Sequence, residues 1–364
     1  MKTNLVDLKS QYKRIKSRIQ FRIKKVLDHG QYILGPEVKE LENKLSRYVD
    51  VKYCLTVASG TEALLISLMA LGIKPGDEVI TTSFTYVATA EVIVRLGAKP
   101  IFVDVEMDTF NINADLIEKK INKKTKAIMP VSLFGQISDM DKINQIAKKY
   151  KIPVIEDAAQ SFGALYKNKK SCNLSTIGCT SFFPSKPLSC YGDGGAIFTN
   201  SMTLYNACKE IRVHGQKKKY IHNRVGVAGR MDTLQCAIVL EKLKIFDKEL
   251  KARNYFAKKY DNFFKKLNNP NIKYPIVRNY NKSVNAQYTL VLNNRDQFIS
   301  RLKRYNIPSA IYYPVPLNQQ KPYKIYCCSD CTPNSRKLSR KVLSLPIHPY
   351  LNKSFFNIIK KVFE

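Results

Sequence analysis

Residues 181–200 read SFFPSKPLSCYGDGGAIFTN and set one lysine, Lys186, in a Pro-flanked turn between two apolar, strand-like segments. Pro184 and Pro187 stiffen the backbone there, each lacking an N–H. Gly192, Gly194 and Gly195 offer positive-φ freedom and close backbone approach just beyond. Such a turn aims an amine instead of leaving it to sample solvent. The plain alternative is a surface lysine in a loop, because Lys and Arg together number 61 of 364 residues.

The neighbouring sequence favours a site. Residues 151–164, KIPVIEDAAQSFGA, contain a short apolar strand at 152–155, two carboxylates, Glu156 and Asp157, and then Gln160. Acids at the carboxyl end of a buried strand stand where α/β folds bind ligands. An aspartate there equally suits the cap of a following helix. Farther upstream, VASGTEALLISLMAL (57–71) sets Ser59, Gly60 and Thr61 directly before a helix, whose free N–H groups and positive dipole end suit a phosphate. Ordinary N-capping explains the same three residues.

Together these parts match one cofactor, pyridoxal 5′-phosphate. Its chemistry calls for a lysine to form a Schiff base, a carboxylate to keep the pyridine nitrogen protonated, and a cradle for the phosphate. Transamination also needs a base to carry a proton between the donor amino acid and the cofactor. The released lysine suits that task.

The motifs DHGQYILGPEVKELE from Asp28, SGTEAL from Ser59, TSFTYVATAE from Thr82, IEDAAQSFGA from Ile155, the Lys186 segment, and GRMDTLQCAIVLEKL from Gly229 occur in one order along the chain. In that order they resemble the DegT/StrS-type sugar-nucleotide aminotransferases of the aspartate aminotransferase fold, type I. The resemblance implies a large α/β domain with a mostly parallel sheet flanked by helices, and a smaller C-terminal α+β domain. It implies that Lys186 is the Schiff-base lysine, Asp157 the partner of the pyridinium nitrogen, and Gln160 a contact of the ring hydroxyl. Tyr86 would stack on the pyridine face, and Gly60, Thr61 and Ser181 would hold the phosphate. It further implies a homodimer with active sites built from both chains, and an amino-acid donor such as L-glutamate.

Two positions depart from the family pattern. Ala228, in GVAGRMD, stands where relatives carry an asparagine that reaches the partner's phosphate, and Ser189 stands where they carry glycine. If that glycine serves a positive-φ turn, serine there costs about 1–2 kcal/mol of strain. The string SCNLST, the lysine segment and LPIHPYL look most like the subgroup that aminates C3 of UDP-2-acetamido-2-deoxy-3-oxo-glucuronate. In that subgroup Arg230 would face the sugar acid, as a guanidinium fork suits a carboxylate, although a salt bridge to Asp232 explains it equally well. Tyr312 and Tyr313 fall on a substrate-side loop where relatives often show His-Tyr. A C4-aminotransferase of a 4-keto-6-deoxy sugar nucleotide, or a non-catalytic sensor on the same scaffold, remains open from the residues alone. Lys186 itself argues against the dehydratases of this fold, which carry histidine there.

Length fits about two domains, here 1–243 and 244–364. Short β-branched runs alternate with helical stretches as far as Leu243. A charged helix over 244–267 then leads to a smaller region with AQYTLVL as a strand. The first residues read as a strand followed by an amphipathic helix, with no signal-peptide core and no run long enough to span a membrane. A cytoplasmic enzyme is the resulting expectation. The net charge of +32 is spread through every segment, which argues against a dedicated nucleic-acid surface while steering anionic substrates inward. Nine cysteines suit buried free thiols in a reducing compartment. Cys327, Cys328 and Cys331 lack the second ligand pair that zinc needs, so no metal is expected.

Overall fold

The computed structural model describes residues 4–328 and 330–364. Five strands come directly from the β-branched runs: β1 (Tyr53–Val57), β2 (Glu78–Thr82), β3 (Lys99–Val103), β4 (Thr125–Ile128) and β5 (Ile155–Asp157). A small hairpin, β6 (Leu165–Tyr166) and β7 (Lys169–Lys170), precedes β8 (Ile177–Ser181) and β9 (Gly195–Thr199). The order β3-β2-β4 is parallel throughout, and β5-β8-β9-β1 continues it. Parallel bridges from Ile128 to Val154 and from Val131 to Asp157 join the two halves into one seven-stranded layer. Only β9 runs antiparallel to its neighbours. The mostly parallel sheet expected from the alternating runs is therefore present. Pro153, which cannot donate to a ladder, delays the expected strand at 152–155 so that β5 carries both carboxylates itself.

Helices α2 (Pro36–Val49), α3 (Gly60–Ala70), α4 (Ala88–Arg95), α5 (Met140–Tyr150) and α6 (Met202–Ile211) cover the sheet, while α1 (Leu8–His29) packs on the later helix that begins at Thr233. One face of the sheet packs Leu41, Leu45, Phe162, Phe198 and Phe246; the other packs Leu64, Ile66, Leu68 and Ile211. These clusters bury aliphatic and aromatic side chains almost completely, the dominant favourable term in folding. The described residues before α1 form no strand, contrary to expectation. Asp7 instead accepts the Ser10 N–H at 3.0 Å and starts the helix as its N-cap.

The two helical stretches read before and after residue 243 are one helix, α7 (Thr233–Leu267). No glycine or proline interrupts it, and its buried side continues from Cys236 through Phe246 to Phe264. Beyond the hairpin β10 (Gln216–Lys218) and β11 (Ile221–His222), the C-terminal third adds β12 (Ile272–Lys273), β13 (Asn281–Lys282), β14 (Tyr288–Leu292) and β15 (Val342–Leu345). β12, β14 and β15 form a small antiparallel sheet, while β13 pairs with β6. With α8 (Arg295–Arg304), α9 (Pro333–Lys341) and α10 (Lys353–Phe363), this sheet and the distal half of α7 enclose a separate aromatic core around Tyr260, Phe264 and Tyr288. Six cysteines are buried free thiols, as expected. Cys327 and Cys331 are not free: they are joined as a disulfide, and Cys328 is exposed. Among the described residues no group of three metal-binding side chains converges, and no helix is long and apolar enough to cross a membrane.

Candidate active site

The carboxyl ends of β1, β2, β5 and β8 bring the expected residues to one edge of the sheet. Asp157 ends β5 and is 5% exposed. Its two oxygens are separately held: Oδ1 accepts the Ala159 N–H at 3.1 Å, and Oδ2 accepts the Thr89 hydroxyl at 2.9 Å. No helix follows it, so the capping alternative reduces to a local turn on Ala159. Alternation along the strand turns Glu156 the other way, where the Ser171 hydroxyl, the Cys172 N–H and the Ser132 hydroxyl hold it at 2.7–3.1 Å.

Lys186 stands in the turn between β8 and β9, where its N–H donates to Phe183 O at 2.9 Å. Burial pushes its amine below the usual lysine range, and the Asp157 charge opposes that shift. Burial pushes the Asp157 carboxyl up, opposed by its bonds to Ala159 and Thr89 and by the Lys186 charge. Each group therefore senses the other's charge. A lysine so depressed spends more time as the free amine, the form that attacks a carbonyl or takes up a proton.

Gly192, Gly194 and Gly195 do not use the positive φ expected of them, and of the three only Gly195 is pressed against backbone. A Cβ on Gly195 would stand 2.5 Å from Ser59 O and 2.8 Å from Gly60 N, so β9 lies directly against the start of α3. Ser59 does cap that helix, accepting the Glu62 N–H at 3.0 Å. The amides of Gly60 and Thr61, in the first turn, have no intrahelical acceptor and stay available. A Cβ on Gly60 would meet Ser181 Cβ at 2.7 Å, so glycine is what allows the helix end and the Ser181 hydroxyl to share one small space. Residues of this kind fit a phosphate group. Gly60→Ala should therefore weaken cofactor binding about tenfold and cost about 1–3 kcal/mol of stability through overpacking. Fluorescence titration of the apoprotein with cofactor, and a melt, would measure both. Unchanged affinity would reject the cradle.

Tyr86 is 58% exposed, which excludes a packed core aromatic. Its ring centroid lies 6.5 Å from that of Tyr313. Gln160 is fixed at both ends, its Oε1 accepting the Phe134 N–H at 2.8 Å and its Nε2 donating to the Tyr313 hydroxyl at 3.0 Å. Tyr312 sits beside Tyr313, with centroids 5.9 Å apart. Arg230 is half-buried and, among the described residues, forms no ion pair with Asp232 or with any other acid. Gly229 O accepts the Ala58 N–H at 2.9 Å, which ties Arg230 to the loop that opens α3. Ser189 is fully buried and is not among the positive-φ residues, so the strain expected of it is absent.

Thr89 and Phe134 were not singled out in the sequence. Thr89 lies within the TSFTYVATAE motif, three residues after Tyr86. The Phe134 contact joins residues 26 apart, and no local pattern announces it.

The lysine–carboxylate pair, the open helix N-terminus and the exposed aromatic suit a pyridoxal phosphate enzyme, and comparison with known proteins gives the class. The chain belongs to the DegT/DnrJ/EryC1/StrS aminotransferase family, which it matches over residues 13–363. It is 54% identical to the UDP-2-acetamido-2-deoxy-3-oxo-D-glucuronate aminotransferase of Pseudomonas aeruginosa, over 97% of each chain. S. venezuelae DesV, solved in complex with a ketimine intermediate, superposes with a TM-score of 0.96 at 32% identity, covering 100% of this chain and 99% of that one. NtdA from Bacillus subtilis, solved with the cofactor PMP bound, gives 0.89 at 30% identity over 95% and 80% of the two chains. This protein is accordingly a pyridoxal phosphate-dependent aminotransferase of fold type I.

Proposed function

We propose that the chain moves an amino group from an amino acid, L-glutamate, to the 3-keto group of UDP-2-acetamido-2-deoxy-3-oxo-glucuronate, in the cytoplasmic synthesis of a surface polysaccharide such as lipopolysaccharide O-antigen. The observation that carries this reading is the 54% identity to the P. aeruginosa aminotransferase across 97% of both chains. The Arg230 guanidinium, which has no acidic partner among the described residues, supports it, because the acceptor carries a uronate that a fork-shaped cation can bind through two hydrogen bonds. Tyr312 and Tyr313 would line the sugar side. Residues 1–243 would make the cofactor-binding domain and 244–364 the smaller one, joined through α7.

In this reading Gly60, Thr61 and Ser181 hold the cofactor's phosphate, Gln160 its ring hydroxyl, and Tyr86 its face. Asp157 keeps the ring nitrogen protonated. The bound cofactor supplies a carbonyl for the amino group and an electron-withdrawing ring. Lys186 would move a proton from the donor's Cα to the cofactor in the first half-reaction, and one from the cofactor to the sugar carbon that gains the amino group in the second. Purified enzyme given glutamate and the 3-keto acceptor should form the amino sugar. Preference for a 4-keto-6-deoxy acceptor would overturn the substrate, and absence of any transamination would support a sensor instead.

The working unit in this proposal is a homodimer with composite sites. Tyr86, Phe183, Tyr220, Ile221 and Val225 are each at least half exposed, more apolar surface than isolated positions need. A two-fold contact would make each contribution twice. Ala228 is exposed, and Ala228→Asn should restore a hydrogen bond of about 0.5–1.5 kcal/mol, tightening cofactor binding roughly two- to tenfold. Heterodimers pairing a Lys186→Ala chain with an Ala228→Asn chain would report which cofactor gains. A gain confined to the substituted chain's own site, or a fully active monomer, would refute the arrangement.

A further inference from the structure

Lys242 is 1% exposed, and among the described residues no carboxylate lies within ion-pair distance of it. Its ammonium donates to Ser189 Oγ at 3.1 Å and to Cys190 O at 3.5 Å, and it lies 4.0 Å from the centroid of the Tyr191 ring. These three acceptors are consecutive residues, starting three positions after Lys186. Seven residues earlier on α7, on the same side of the helix, Gln235 Oε1 accepts the Tyr191 N–H at 2.9 Å. The long helix thus grips the segment after the reactive turn at two levels. From the other side, the Cys190 N–H donates to Phe182 O at 2.7 Å.

A buried lysine without a counter-ion is costly, and an apolar side chain of like volume is often tolerated better. Stability therefore does not account for it. Burial lowers the Lys242 amine to about 8, opposed by Cys190 and Glu249, and the amine nitrogen faces all three acceptors. Tyr12, edge-on to Tyr191, and Gln11, bonded to Glu249, complete the surroundings from α1.

We propose that Lys242 is a positioning residue for the Lys186 turn, and that Ser189, which departs from the family's glycine, is the hydroxyl through which it holds that turn. The proposal rests on Lys186 being the cofactor-bearing amine. Small displacements of a reacting group are expensive, up to roughly a hundredfold for about 1 Å, so loosening the turn reaches the chemistry without touching substrate.

The test compares Lys242→Met, Ser189→Ala and the double variant with the wild type. Lys242→Met should lower kcat on the order of tenfold with the donor KM within about twofold. Its melting temperature should hold or rise. In the apoprotein, reductive methylation with formaldehyde and cyanoborohydride, read at Lys186 by peptide mass spectrometry, should change in rate by at least about threefold relative to surface lysines. Ser189→Ala, which removes one oxygen, should show a smaller change in the same direction and keeps the test available if Lys242→Met does not fold. The double variant should be no worse than Lys242→Met, because the two side chains form one interaction. Additive losses, or a changed melting temperature with kcat and Lys186 methylation unaltered, would overturn the proposal. Borohydride trapping on wild-type Lys186 is the separate control: its failure rejects the cofactor assignment, whereas the apoprotein methylation rates judge Lys242 alone.

Discussion

Lys186→Ala is expected to abolish turnover. General acid–base catalysis by one positioned group contributes about 10²–10⁴-fold, and Lys186 would also provide the covalent attachment of the cofactor. Borohydride should fix cofactor to the wild-type chain at Lys186 and to the variant not at all. Some cofactor should still bind the variant noncovalently, since the Gly60, Thr61 and Ser181 groups do not depend on the lysine. Unchanged turnover in the variant would remove Lys186 from the mechanism.

The same substitution has a pH signature in the apoprotein. Burial lowers the folded-state value of Lys186 below 10.5, so between the lowered value and 10.5 the unfolded chain binds more protons than the folded one. Stability then rises with pH across that window. The penalty for burying the charged amine is present in full below the window and is gone above it. Subtracting the Lys186→Ala melting profile from that of the wild type should leave a difference that climbs with pH over that range. Without the lysine charge, the Asp157 carboxyl should move further up, since that charge opposes its shift.

The sheet was legible wherever a β-branched run was short and bounded: VKYCLTVA, DEVITTS and AKPIFVDV became β1, β2 and β3. Periodicity also found the distal part of α7, but not that it is continuous with the segment from Thr233. The reason is that a change in the buried partner, from the sheet core at Val239 to the aromatic core at Phe264, resembles a change of element. The N-terminal strand failed because Asp7 caps α1 and turns the chain into that helix. That Asp157 ends a buried strand and Lys186 sits in a tight turn was readable because each lies in a short motif whose local geometry follows from proline or a strand end. The Gln160–Tyr313 bond spans 153 residues and the Lys242–Ser189 bond 53, distances at which local patterns carry no information. That second bond also explains why serine is accommodated at position 189 without the strain expected of it: the residue avoids positive φ, and its hydroxyl answers a buried cation.

Asp157→Asn should leave the fold intact and cost two to three powers of ten in turnover, about 3–4 kcal/mol of transition-state stabilisation. Asparagine has the same shape, and its single carbonyl oxygen can still accept from Ala159 N–H or from the Thr89 hydroxyl, though not from both. The turn should survive, because the carbonyl can keep the Ala159 bond while the amide donates to the Thr89 oxygen, at a loss of no more than about 1 kcal/mol. What cannot survive is the negative charge that keeps the ring nitrogen protonated. The apoprotein supplies a second readout that does not depend on the reaction. Asp157 is the charge that opposes the lowering of the Lys186 amine, so the variant should hold that amine lower still and methylate it faster at neutral pH. A fall in turnover of less than about threefold, under 1 kcal/mol, with the methylation rate unchanged, would leave Asp157 as no more than the residue that closes the turn onto Ala159.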